Sequence, residues 1–287
     1  MGSARQLHFP RGTLTSVPWS LEMTPEDAKW DWTSLRIADL DAGASLEFNT
    51  GCEEMLILSL SGSVNVTSGA DSATIIGRPN VFSGVSDFVY VPPDRTVELT
   101  SLAGGRFAVP GARSDSHRSF AYQPREVIEV EYRGAGRCSR RVNNICTDQT
   151  FDADRIIVCE VVTPGGNWSS YPPHKHDEAH SDESVLEEIY YFELSGASRG
   201  DPMAYQRIYG TPSRPIDLLA EVRDGDLILV PHGWHGPTMA VPGYDAFYLN
   251  VMAGPGERAW RICDDPAHSW IRDSWANEEI DPRVFSS

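Results

Sequence analysis

Short apolar runs separated by turn residues set the pattern of this chain: Met55–Leu60, Phe88–Val91, Arg155–Val162, Ile189–Leu194, Leu227–Val230 and Ala246–Val251. Runs of this length, rich in Val, Ile, Leu, Tyr and Phe, predict the strands of an all-β sandwich or barrel. Helical periodicity is scarce. Only the Pro- and Asp-rich tail after Pro255 reads as irregular, with a short helix expected near Trp270–Asn277.

The pattern repeats. Glu54-Met-Leu-Ile-Leu-Ser-Leu-Ser-Gly62 has the Glu-to-Gly spacing of Glu188-Ile-Tyr-Tyr-Phe-Glu-Leu-Ser-Gly196, and both end Leu-Ser-Gly. Asp87-Phe-Val-Tyr-Val-Pro92 then answers Asp226-Leu-Ile-Leu-Val-Pro231, 33 residues after Glu54 in one half and 38 after Glu188 in the other. Two matched blocks in the same order predict a duplicated β-domain. The boundary is expected near residue 124, after the Gly-rich stretch Ala103–Arg113, which gives units 1–124 and 125–287.

The candidate chemistry lies in the second half. His174-Lys-His176 puts two imidazoles at i and i+2, on one face of a strand. Glu188 opens a later strand, and His235 closes the loop of Gly225-Asp-Leu-Ile-Leu-Val-Pro-His-Gly-Trp-His235. Three nitrogens and one carboxylate suit a borderline divalent metal, zinc first, with manganese, iron, cobalt or nickel also fitting. This is the pattern of the cupin barrel, with one departure: eleven residues separate His176 from Glu188, where three or four are usual in that family. The insertion Asp177–Leu186 reads as a loop at the barrel mouth, and Glu178 or Glu183 is the alternative carboxylate. Glu188 is preferred because it is placed like Glu54. Counting back from Glu54 by the same offsets reaches Leu40 and Ala42, and forward from Pro92 reaches Thr96, so one metal per chain is expected. The N-terminal barrel then serves as scaffold and as a packing surface for a homo-oligomer. His8, His117 and His180 read as solvated, and His268 lies in the tail.

Composition narrows the partners. A net charge of −17 argues against nonspecific binding to nucleic acid or an anionic membrane, which needs a basic face. It leaves room for a small anionic substrate held by a few focused arginines. Five cysteines, widely spaced and without a CxxC pair, suggest neither a disulfide framework nor a thiolate zinc site. No signal peptide or apolar run of membrane-spanning length is read, and a cytoplasmic protein is expected.

The stretch Thr163-Pro-Gly-Gly-Asn-Trp-Ser-Ser-Tyr-Pro-Pro-His-Lys-His-Asp177, followed by Leu186-Glu-Glu-Ile-Tyr-Tyr-Phe192, resembles the 5-deoxy-glucuronate isomerases. So do Gln206-Arg-Ile-Tyr209 and Gly243-Tyr-Asp-Ala-Phe-Tyr-Leu-Asn-Val-Met-Ala-Gly-Pro255. The close match covers about residues 155–270, while the first half is similar only in outline. The resemblance implies two tandem cupin barrels and an aldose–ketose isomerase of myo-inositol catabolism. It would convert 5-deoxy-D-glucuronate to 5-dehydro-2-deoxy-D-gluconate through an enediol. For the proton transfers, Glu188, Tyr190 and Lys175 are the candidates. For the substrate carboxylate they are Arg207 and Arg141, with Asn250 a polar residue within an apolar strand that the active site would explain. The alternatives are a uronate isomerase of the 5-keto-4-deoxyuronate type, an iron-dependent cupin dioxygenase with the same ligands, and a sugar-sensing or storage cupin without turnover.

Overall fold

The computed structural model describes residues 6–116, 118–196, 198 and 200–285; His117 lies outside them. Two curled antiparallel barrels pack against each other. One is a nine-stranded sheet drawn from Leu21–Met23 through Ala121–Gln123. The other combines a seven-stranded sheet, which includes Ile157–Thr163, Glu187–Leu194, Leu227–Val230 and Ala246–Ala253, with a six-stranded sheet that carries His174–Lys175 and Trp234–Ala240. Among the described strands, His8–Phe9 alone crosses between the halves: it pairs with Leu227 and Ile228 of the second barrel. The His8 ring is 2.8 Å from the buried Asp226 carboxylate, so it is an anchored residue rather than a solvated one. In the tail a short helix, Ile271–Ser274, runs into a tight 3-10 turn, Trp275–Asn277.

Period-2 alternation sorts the strands' apolar residues into three cores. Met55, Ile57, Val89, Val91 and Phe107 fill the first barrel. Ile157, Tyr190, Phe192, Ile228 and Tyr248 fill the second. The outward neighbours Leu56, Leu58, Phe88 and Tyr90 of one half meet Ile189, Tyr191, Leu229, Phe247 and Leu249 of the other in a third core between the barrels. Burying both faces of these strands explains why they read as nearly continuous apolar runs.

The ladder corrects the alignment of the two halves. Met55 pairs with Val91, which precedes Pro92, and Glu188 pairs with Val230, which precedes Pro231. Met55 therefore stands where Glu188 does, and Glu54 stands where Glu187 does. The Asp87 and Asp226 blocks are in register, whereas the Glu and Leu-Ser-Gly match is one residue out, and a bulge between Ser59 and Ser61 shifts it further. A slip of one residue exchanges the faces of a strand. Glu54 consequently points between the barrels, where its carboxylate accepts from the amides of Asp154, Arg155 and Ile156 at 2.9, 2.6 and 2.8 Å.

Candidate metal centre

The site is built where three strands of the second barrel meet. His174 stands directly across the ladder from His235, and their rings lie edge to face at 4.4 Å. His176 follows two residues later, its ring centroid 6.3 Å from that of His174. The Leu186 amide donates to the His176 carbonyl at 2.9 Å, which closes the insertion back onto the site. Glu188 projects inward, opposite Val230 on one side and Met252 on the other. Gly236 lets the strand after His235 come close: a Cβ there would sit 1.8 Å from the Ser170 carbonyl oxygen.

His176, Glu188 and His235 are all at most 2% exposed, and their ligand atoms lie within 4.8 Å of one another. Both Nε2 atoms are 3.1 Å from the same Glu188 Oε2. Each of the three histidines turns its Nδ1 to a backbone carbonyl: His174 to Pro172 at 3.4 Å, His176 to Leu186 at 3.2 Å and His235 to Gly233 at 3.3 Å. An Nδ1–H that donates to a carbonyl leaves the Nε2 lone pair free for a cation. Beyond the Glu188 carboxylate, the Nε2 of His235 has no polar partner, as suits a nitrogen facing a metal position. A borderline divalent ion fits this donor set.

Charge in the cluster is finely divided. Burial, with His235 and His176 beside it, pushes His174 well below the usual imidazole range. Burial also works against a charged His176, but Glu188 outweighs it and raises that imidazole. Burial alone would raise Glu188, yet His235 and His176 hold the carboxyl at about 2. Burial keeps the Tyr190 hydroxyl protonated far above neutral pH, with Glu188 adding to the effect. That hydroxyl is 3.2 Å from Ser170 Oγ, which is 3.1 Å from the Tyr248 hydroxyl.

Not every residue singled out in the sequence comes to this cavity. Tyr190 and Asn250 do. Lys175 alternates to the opposite face, where its Nζ donates to Asp177 at 3.1 Å, Glu178 at 2.9 Å and Glu183 at 2.8 Å, over the Trp234 ring. Those bonds occupy Glu178 and Glu183 away from the cluster, in the hairpin Asp177–His180 and Glu183–Val185, and His180 is exposed there. Arg207 pairs with Asp217 and donates to the carbonyls of Ile208 and Leu218 at the surface. Arg141 is buried on the other face of its strand, on the Glu160 side, where the Glu160 charge offsets part of the burial that lowers it.

The cavity instead presents Arg140 and Arg133, paired across neighbouring strands, with Trp260 from the tail. The sequence reading missed both arginines. Strand parity would have chosen Arg140 over Arg141 only if Val142 were known to face inward; the polar run Asn143-Asn144 and the ladder shift beside it hide that.

The chain matches the KduI/IolB family over residues 9–271. It is 39% identical over 257 residues to a 5-deoxy-glucuronate isomerase of Geobacillus kaustophilus (strain HTA426), an alignment covering 88% of this chain and 91% of that relative. The crystal structure of an IolB-like protein from Salmonella typhimurium LT2 superposes with a TM-score of 0.86 at 30% identity, over 93% of this chain and 99% of that one. A Lactobacillus farciminis oxalate decarboxylase, in complex with formate, superposes with a TM-score of 0.65 at 12% identity, over 92% and 90% of the two chains, which shows the shared cupin fold alone. With a double-barrel architecture and a match spanning nearly the whole sequence, the chain belongs to the KduI/IolB family.

Proposed function

We infer that this chain is a 5-deoxy-glucuronate isomerase, an enzyme that moves a sugar-acid carbonyl from C1 to C2 in the breakdown of myo-inositol. The observation that carries the reading is the convergence of two imidazole nitrogens on Glu188 inside the second barrel, in a chain 39% identical to a named isomerase. A divalent cation, zinc by the nitrogen-rich donor set, held by His174, His176, Glu188 and His235, would polarise the substrate carbonyl and acidify the adjacent C–H.

The chain's own groups then account for the protons. The shift takes one proton from C2, returns one to C1, and passes a hydroxyl proton from O2 to O1. Glu188 is the carboxylate lining the cavity among the described residues; released from the cation, it would take the carbon-bound proton and return it. Tyr190, Ser170 and Tyr248 form a buried hydroxyl chain suited to moving the oxygen-bound proton. Lys175, fixed as an ammonium among three carboxylates, takes no part. Residues 1–124 act as scaffold: Met55 stands where Glu188 does in the second barrel, and a thioether there gives no carboxylate ligand.

Proton NMR of 5-deoxy-D-glucuronate in deuterated water tests this. Conversion to the keto acid that stops on chelation and returns with added divalent metal is expected, with deuterium in the product. A metal-loaded enzyme that leaves the aldehyde untouched overturns the reading. Oxygen consumption by the ferrous protein would move it to dioxygenase chemistry.

A further inference from the structure

Beside the histidine cluster lies a cleft lined by Arg133, Arg140, Tyr190, Asn250 and Trp260. Arg140 lines it and is only 5% exposed, yet no carboxylate lies within ion-pair distance of its guanidinium among the described residues. Its partners are backbone carbonyls, Cys138 at 2.9 Å and Tyr171 at 3.5 Å, and the Trp275 ring 5.4 Å beneath it. A buried cation without a counter-ion is costly. Burial pushes this arginine down to about 10, and the neighbouring Arg133 contributes to the fall.

Arg133 is differently placed. Glu131 holds it through two bonds, at 2.8 and 2.6 Å, so its charge is already answered and its plane rests over Trp260. Two further donors line the cleft without partners: Nδ2 of Asn250, a residue 2% exposed, and Nε1 of Trp260. One uncompensated guanidinium and two unpaired N–H donors around one cleft describe an oxygen-rich anion, with a carboxylate at one end and hydroxyl or carbonyl oxygens along its length.

We propose that Arg140 binds the substrate carboxylate through its guanidinium fork, while Asn250 and Trp260 donate to oxygens between that carboxylate and the carbonyl end at the histidines. This rests on the isomerase reading for the identity of the substrate, but not for the existence of an anion site. It selects a linear sugar acid with its carboxylate remote from the carbonyl, and it rejects the neutral sugar, because the neutral end leaves Arg140 buried and unpaired.

The test uses a probe that cannot isomerise. Metal-loaded wild type is titrated with D-gluconate and with its uncharged counterpart D-glucitol, followed by calorimetry, beside Arg140→Met and Arg140→Lys. Wild type is expected to prefer the acid, and Arg140→Met to lose roughly tenfold to a hundredfold in gluconate affinity with glucitol binding no weaker than in wild type and metal content unchanged. Arg140→Lys keeps the buried charge but not the fork and is expected to fold with an intermediate preference, so a Met variant that misfolds does not end the test. A wild type without acid preference, or either variant matching wild type, overturns the assignment. Wild type that prefers gluconate through Arg140 but leaves 5-deoxy-D-glucuronate unchanged keeps the anion site and sinks the isomerase reading.

Discussion

The joint between the barrels turns on one ion pair, and its removal has a calculable consequence. Arg78 of the first barrel and Glu160 of the second are both fully buried and joined by two bonds. Asn143 Nδ2 donates to the same carboxylate at 2.9 Å, and Arg78 also donates to the carbonyls of Ser59 at 2.9 Å and Gly84 at 2.8 Å. Arg78→Met leaves the buried Glu160 with the Asn143 amide as its remaining side-chain donor and Arg141 as the remaining nearby charge, which costs about 3 kcal/mol. The double variant Arg78→Met with Glu160→Leu removes both charges and is expected to recover more than half of that loss, since two apolar side chains of similar length need no desolvation compensated. Urea unfolding followed by tryptophan fluorescence gives the comparison, with Glu160→Leu completing the cycle. If the double variant is no more stable than Arg78→Met, the cost comes from lost packing rather than from a stranded carboxylate, and the electrostatic account is wrong.

Other perturbations address the metal centre, the insertion and a buried acid. His174→Ala, His176→Ala and His235→Ala should each lose bound metal, with activity falling by more than the roughly tenfold to hundredfold typical of outer-shell partners, whereas His180→Ala should match wild type; metal analysis beside the NMR assay decides. Lys175→Met strands the buried Glu183, which keeps only the amides of Asp177 and Glu178, and should destabilise by about 3 kcal/mol while kcat stays within about tenfold of wild type; a catalytic loss without a stability loss would restore Lys175 as a candidate base. Burial, opposed by Arg106 and reinforced by Asp224, raises the Glu193 carboxyl from 4.5 to about 6. A carboxyl whose folded value is raised stabilises the fold below its unfolded value, and that contribution is lost as pH climbs to the folded value. Unfolding free energy should therefore fall by about 2 kcal/mol between roughly pH 3.5 and 7 relative to Glu193→Gln, most of it between pH 4.5 and 6; parallel pH profiles for the two proteins would refute it.

Much of the fold and of the His176, Glu188 and His235 cluster could be read from the chain because both are written in short-range pattern. Strand runs and turn residues are local. His174 and His176 share a face through the two-residue period, and the Asp87 and Asp226 blocks are in true register. What the sequence hid depends on which face a residue takes. Arg140 and Arg141 are adjacent, both buried, and chemically identical; only the pairing of Val142 with Val161 puts one in the cleft and the other toward Glu160. Arg207 was plausible by type, but the strand Ala204–Tyr209 presents it to solvent and to Asp217. The Trp260 contact comes from the tail, which returns to the barrel through Ser184 and the Ala259 carbonyl, a closure no local pattern announces.

The adjacent glutamates of the two halves explain why one barrel carries the chemistry. Glu187 accepts from the amides of Asp31, Trp32 and Thr33 at 2.8, 2.9 and 3.2 Å, as Glu54 does from residues 154–156. Each barrel thus offers one outward carboxylate to the three amides that lead into the other's corresponding strand, Thr33–Leu40 or Ile157–Thr163. Each clamp satisfies three backbone donors at the joint between the barrels, so the outward position answers to docking in both halves alike. The next residue faces inward, where docking imposes nothing. There Met55 packs with Ile57 and Val91 in the first barrel, and Glu188 meets two imidazoles in the second. Exchanging Met55 for glutamate would not build a second site: it would bury a carboxylate among apolar neighbours with no facing histidine among the described residues, and the desolvation cost would fall on the fold.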